Sequence, residues 1–125
     1  ILDIKFNEKY FERVIHHEVF HIINDTFKEI FDENTWSNFN PKEFKYAKCS
    51  TCTKKIGLET YSNPNGFITE YSQSTASEDM AEVFSFLMIG KKRIEKKASM
   101  DPILNKKIFF IKKNILRIDE NFSFN

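Results

Sequence analysis

Glycine and proline are scarce, three of each in 125 residues, which excludes collagen-like and linker-like chains. No apolar run approaches the ~18 residues that a membrane-spanning helix requires, and no basic n-region, apolar h-region and cleavage site open the chain. The formal net charge is only +1, too small for the electrostatic footprint of a nucleic-acid binder. The basic run KKRIEKK at 91–97 reads as a solvated helix face. Cysteine is limited to Cys49 and Cys52 in KCSTCTK. Their CxxC spacing is half of a zinc knuckle or a redox pair. No second CxxC completes four ligands and no βαβ pattern surrounds it, which favours a plain polar loop with two thiols or a short disulfide.

What is present describes a folded domain. A hydrophobic fraction of 41% beside 30% charged residues excludes a disordered chain. The length fits one domain over 1–125, able to bury roughly two thirds of its unfolded surface. Because the chain begins at Ile1 rather than Met, it is expected to be the C-terminal part of a longer protein.

ILDIKF at the start reads as a short strand or lead-in segment. Apolar residues then recur at helical spacings in two sets, Phe11, Ile15 and Ile22, and Phe20, Ile23, Phe27, Ile30 and Phe31. They predict a helix from about 8 to 31, N-capped by Asn7 and wetted on little of its circumference. Residues 32–66, rich in Asn, Ser, Thr and Lys and punctuated by Pro41, Gly57, Pro64 and Gly66, read as a long irregular connection, with a helical turn expected at 41–47. Helical periodicity resumes in ASEDMAEVFSFLM and is expected to stop near Gly90. Asp101 as N-cap and Pro102 at the first position launch a last helix carrying Leu104, Ile108, Ile111, Ile115 and Ile118 on one face. The fold class is mainly α.

All three histidines fall within residues 16–21. His17, Glu18 and His21 form an HExxH pattern, which on a helix puts two imidazoles one turn apart on one face. A metal held there lowers the pKa of bound water to about 7, and Glu18, next to the first ligand, is placed to take a proton from it. A catalytic zinc needs a third protein ligand and an open fourth position. His16 points about 100° away around the helix, so the third ligand is sought among carboxylates. Glu78 and Glu82 in SEDMAE share a helix face, so that one can bind metal while the other steadies a ligand from behind. TASE at 75–78 also fits a capping box, with Thr75 as N-cap and Glu78 reaching back to its N–H. That local rule does not explain Glu82, one turn further in among apolar residues.

HHEVFH followed by GFITEYSQSTASEDMAEVFSF resembles the glutamate-zincin metallopeptidases of the anthrax lethal factor type and bacterial zinc-binding metallopeptidases sharing the same Gly-Phe, Tyr and Glu-Asp-x-Ala-Glu arrangement. Tyr71 stands seven residues before Glu78, and Ala81 and Glu82 stand three and four after it, as in that family. The resemblance spans roughly residues 8–90. It implies a zincin-like core of active-site helix, glutamate helix and C-terminal helix with at most a short N-terminal strand. It also implies one Zn2+ on His17, His21 and Glu78, Glu18 as general base, Tyr71 as transition-state stabiliser and Glu82 as support behind a ligand. Phe20 occupies the position before the second histidine where the family usually has glycine, so packing on that side must differ.

The resulting expectation is a zinc-dependent endopeptidase that acts on peptides or proteins, exported or surface-attached in a bacterium. The rival reading is a helical protein-binding module that keeps a zinc site without catalysis.

Overall fold

A computed structural model describes residues 8–124, so the expected strand in ILDIKF and the Asn7 cap lie outside the described residues. Four helices are present among them: α1 (Glu8–Thr26), α2 (Glu33–Ser37), α3 (Ala76–Ala98) and α4 (Pro102–Ile118), with a single 3-10 turn at Tyr71–Gln73 leading into α3. There is no strand among the described residues, only an isolated antiparallel bridge between Thr60 and Thr69. The mainly α expectation holds.

α3 lies in the middle, packed against α1 on one side and α4 on the other. Residues 79–85 are consecutively buried, the mark of a helix covered all round. The aromatic core forms where α1 and α3 meet the chain after α1. Phe20 is fully buried, its ring 5.1 Å from Phe31 and 5.2 Å from Phe84. Burying one such side chain contributes roughly 1.5–3 kcal/mol. The bulky residue in the usual glycine position is thus a core anchor.

Three boundaries differ from those expected. α1 ends at Thr26, and Phe27, Ile30 and Phe31 belong to the turns that follow, still packed on the core. Its outer face is wetter than its periodicity suggests, with Ile15, Val19 and Ile22 exposed. Asp32 caps a short α2 that the polar composition of 32–66 conceals, its carboxylate accepting from Thr35 N–H at 2.8 Å. The expected turn at 41–47 reduces to one Phe44 N–H to Pro41 carbonyl bond of 3.0 Å. α3 breaks its helical geometry at Gly90 but resumes and runs on to Ala98, because Ile94 and Ala98 are buried and hold the second half against the core. Of the basic run, Lys92, Arg93 and Lys96 are exposed as expected, while Lys97 donates to the Tyr61 carbonyl and Glu95 pairs with Lys112.

The start of α4 is as expected: Asp101 Oδ1 accepts from Leu104 N–H at 3.1 Å, with Pro102 first in the helix. Its other oxygen accepts from Gly66 N–H at 2.9 Å and Asn65 N–H at 3.2 Å, tying the long connection to this cap. Gly66 has φ of +86°, and a Cβ there would lie 2.8 Å from Ile103 Cγ2, so both conformation and space require glycine.

Asp79 is a second tie. Its fully buried Oδ2 accepts from Lys107 Nζ (2.8 Å), Trp36 Nε1 (3.0 Å) and Tyr46 OH (2.6 Å), joining α2, α3, α4 and the long connection at one atom. Lys107, equally buried, also donates to the Gly66 carbonyl at 2.8 Å and stands 3.9 Å from the Phe67 ring centre. Burial pushes the Asp79 carboxyl above and the Lys107 ammonium below its ordinary range, against the pull of their contact. Lys107→Met removes one partner and leaves a buried carboxylate, and is expected to lower unfolding stability by about 3–5 kcal/mol. Chemical denaturation should show this loss to be larger than that of Asp79→Leu combined with Lys107→Met.

Candidate metal centre

Arg13, His17 and His21 follow one another at four-residue steps on α1, and Glu78, Glu82 and Ser85 at steps of four and three on α3, so each set forms a stripe on one helix face. The helices run in opposite directions, and the stripes meet rung by rung. Arg13 pairs with Glu82 and reaches Ser85 Oγ at 3.5 Å. His17 Nδ1 lies 3.3 Å from Glu82 Oε2 and its Nε2 2.8 Å from Glu78 Oε2. His21 Nε2 lies 3.0 Å from Glu78 Oε1, and its Nδ1 3.1 Å from Ser77 Oγ. The two Nε2 atoms are 3.2 Å apart.

These separations suit a metal. A tetrahedral zinc with bonds of about 2.0–2.1 Å needs donor atoms roughly 3.3 Å from one another. Two imidazole nitrogens and a carboxylate meet that requirement here at 2.8–3.2 Å. The nitrogen of each imidazole facing away from the shared point is also held, His17 by the buried Glu82 carboxylate and His21 by Ser77. Such outer contacts fix ring orientation and tautomer in histidine metal sites. Glu82 is completed by Thr69, whose hydroxyl donates to Oε1 at 3.0 Å. Ser77 is steadied in turn by donating to Asn24 Oδ1 at 3.1 Å.

The capping-box expectation is half met. Thr75 Oγ1 accepts from Glu78 N–H at 3.1 Å, but the Glu78 carboxylate turns to the histidines. Glu18 is exposed, and a donor oxygen of it lies within 4.8 Å of ligand atoms of His17 and His21. It lines a cavity of about 280 Å³ together with His17, Tyr71, Glu82 and the apolar Val14, Ile56 and Leu58. The Tyr71 ring centre stands 6.0 Å from that of His17. A larger groove, about 730 Å³, runs beside α4 and contains none of these residues. His16, half-buried, meets Phe84 edge-on at 6.5 Å, a packing role as expected.

Electrostatics follow the ladder. Burial alone would lower the His17 pKa, but its hydrogen bonds to Glu78 and Glu82 prevail and hold it up at about 9. Burial works against the Glu78 charge, yet hydrogen bonds from His17, His21 and Tyr71 hold its carboxyl well below the usual range. Burial, and then the Glu78 carboxylate, push the Tyr71 phenol above its ordinary value.

All six residues singled out in the sequence, His17, Glu18, His21, Tyr71, Glu78 and Glu82, lie around this one point. Arg13, Thr69, Ser77 and Asn24 join them without having been anticipated. Residues 2–117 match the model of a family described as "Putative zinc-binding metallo-peptidase". The chain belongs to that family. No curated protein and no solved structure matches the chain. The zinc-binding description agrees with the cluster of histidines and carboxylates, and a peptidase family implies peptide or protein substrates. No helix among the described residues is long and apolar enough to cross a membrane.

A metal that takes the His17 Nε2 lone pair must displace the proton that Glu78 and Glu82 hold on that ring. With the ring pKa at about 9, the metal-free imidazole is protonated below that pH and neutral above it. Zinc affinity is therefore expected to fall about tenfold for each pH unit below 9, with about one proton released per ion at pH 7. Calorimetric titration in buffers of different ionisation enthalpy counts that proton.

Proposed function

We propose that the chain is a zinc-dependent endopeptidase of glutamate-zincin type, with His17, His21 and Glu78 holding one Zn2+. Bound zinc would act as a Lewis acid and acidify water at neutral pH. Glu18 takes the proton from the attacking water as general base, and its exposure at the cavity mouth leaves it open to substrate. Tyr71, across that cavity, donates its phenol O–H to the oxygen on which negative charge develops as the peptide carbonyl becomes tetrahedral. Glu82 and Arg13 hold the His17 ring in place from behind. The substrate lies along the cavity, its polar scissile bond beside His17 and Glu18 and a flanking apolar side chain against Val14, Ile56 and Leu58.

The observation that carries this reading is that Glu18 and Tyr71 both line one cavity with His17, beside the point where His17, His21 and Glu78 converge. A module needing zinc only as a staple has no use for either. Likeness to the lethal factor type rests on Glu78 as the third donor, with Tyr71 and Glu82 at the matching intervals. Export or surface attachment is supported by the Cys49–Cys52 disulfide, since such bonds form and persist in oxidising compartments.

Glu18→Gln should keep one zinc per chain while losing about 10²–10⁴ in turnover. Glu78→Gln should lose much of the zinc as well. Metal analysis beside cleavage of a diverse peptide pool, with and without chelator, reads both. Zinc without any chelator-sensitive cleavage in the unmodified chain would point to the binding module, and full zinc retention by Glu78→Gln would place the third ligand elsewhere. Tyr71→Phe is expected to lower kcat by about 10²–10³ with KM little changed, measured on the best peptide of that pool.

A further inference from the structure

His21 is the more exposed of the two imidazoles at the metal point, its side chain 24% exposed against 9% for His17, so packing holds it less firmly. A chain of polar contacts leads from its outer nitrogen away from the metal. His21 Nδ1 stands 3.1 Å from Ser77 Oγ, Ser77 Oγ 3.1 Å from Asn24 Oδ1, and Asn24 Nδ2 3.4 Å from the Phe31 carbonyl. The far end is anchored: Phe31 is fully buried, and its ring packs edge-on against that of Phe20, the residue before His21. Ser77 itself is free for this task, because Thr75 already caps α3 through Glu78 N–H.

The chain has one direction. A backbone carbonyl can only accept, so Asn24 turns its NH₂ to Phe31 and its Oδ1 to Ser77. The Ser77 hydroxyl has a single proton, which goes to that Oδ1, and it therefore offers a lone pair to His21. With the proton of His21 on Nδ1, the nitrogen left to bind a metal is Nε2, the one that faces His17 and Glu78. His17 needs no such chain. Behind it stands the Glu82 carboxylate, which only accepts, whereas a hydroxyl can donate or accept and must be oriented by a further partner.

We propose that Ser77 and Asn24 are positioning residues for His21, and that together they decide which ring nitrogen meets the metal and how tightly zinc is held. This rests on His21 as a metal ligand and not on peptide cleavage. Zinc affinity of the full chain is measured by competition with a chromogenic chelator. Ser77→Ala is expected to weaken it about ten- to hundredfold, and Ser77→Thr to restore most of the loss. Asn24→Ala should weaken it as well, yet add little once residue 77 is alanine, because Asn24 acts through that hydroxyl. Unchanged affinity in Ser77→Ala, or full additivity of the two substitutions, overturns the proposal.

Proton NMR of the zinc-loaded chain gives a second readout. Two downfield ring N–H resonances are expected, from His17 Nδ1 held by Glu82 and His21 Nδ1 held by Ser77. Ser77 and Asn24 line a polar cavity of about 350 Å³, so in Ser77→Ala water reaches the second proton and its resonance should vanish by exchange. Persistence of both resonances in that variant overturns the proposal. An unmodified chain that binds no zinc removes this inference and the metal-site reading together. Zinc binding without chelator-sensitive cleavage removes the peptidase reading alone, and the affinities still decide the role of Ser77 and Asn24.

Discussion

A carboxylate with no exposure at all, that of Glu82, sits where α1 crosses α3. Taking an unpaired charge out of water costs several kcal/mol, so such a group must be met by cations and donors with good geometry. Arg13 and His17 come from α1, and Thr69 from the segment ahead of α3. Those contacts fix the rotation of α1 about its own axis, since turning the helix by one residue swings His17 about 100° away. Once the rotation is set, His21 falls opposite Glu78 and the two Nε2 atoms face each other. Satisfying one buried charge and aiming two imidazoles are the same structural event.

Periodicity and a short motif made the donor set legible. The four-residue steps from His17 to His21 and from Glu78 to Glu82 are helix-face arithmetic. That the two faces meet came from the likeness of motif intervals, because no local rule joins residues some sixty positions apart. Arg13 did carry a signal, four residues before His17 on the same stripe, and a buried Glu82 in want of a partner should have pointed to it. Thr69 carried none. It lies in irregular chain whose course is set by distant pins such as the Tyr71 N–H to Gly57 carbonyl bond.

Helix ends were the least readable features, for two different physical reasons. After Thr26 the apolar pattern continues because Phe27 and Phe31 enter the core from turns as readily as from a helix, so spacing alone could not find the end. At Gly90 the poor helix propensity of glycine suggested a stop, but burial of Ile94 and Ala98 outweighs the roughly 1 kcal/mol that glycine costs. The CxxC pair, left open between loop, thiols and bridge, is a bridge.

The non-helical backbone of Gly90 kinks α3 and makes two segments of one rod. The front segment carries Glu78 and Glu82 and is clamped by α1, whereas the rear one is held to α4 through Ile94, Ala98 and the Glu95–Lys112 pair. Fraying that starts at the rear terminus meets a discontinuity before it reaches the carboxylates, and local opening there need not loosen the donor cluster. The cationic tail of the helix can breathe, or be bent against a neighbour, while the chemistry at its other end stays in register.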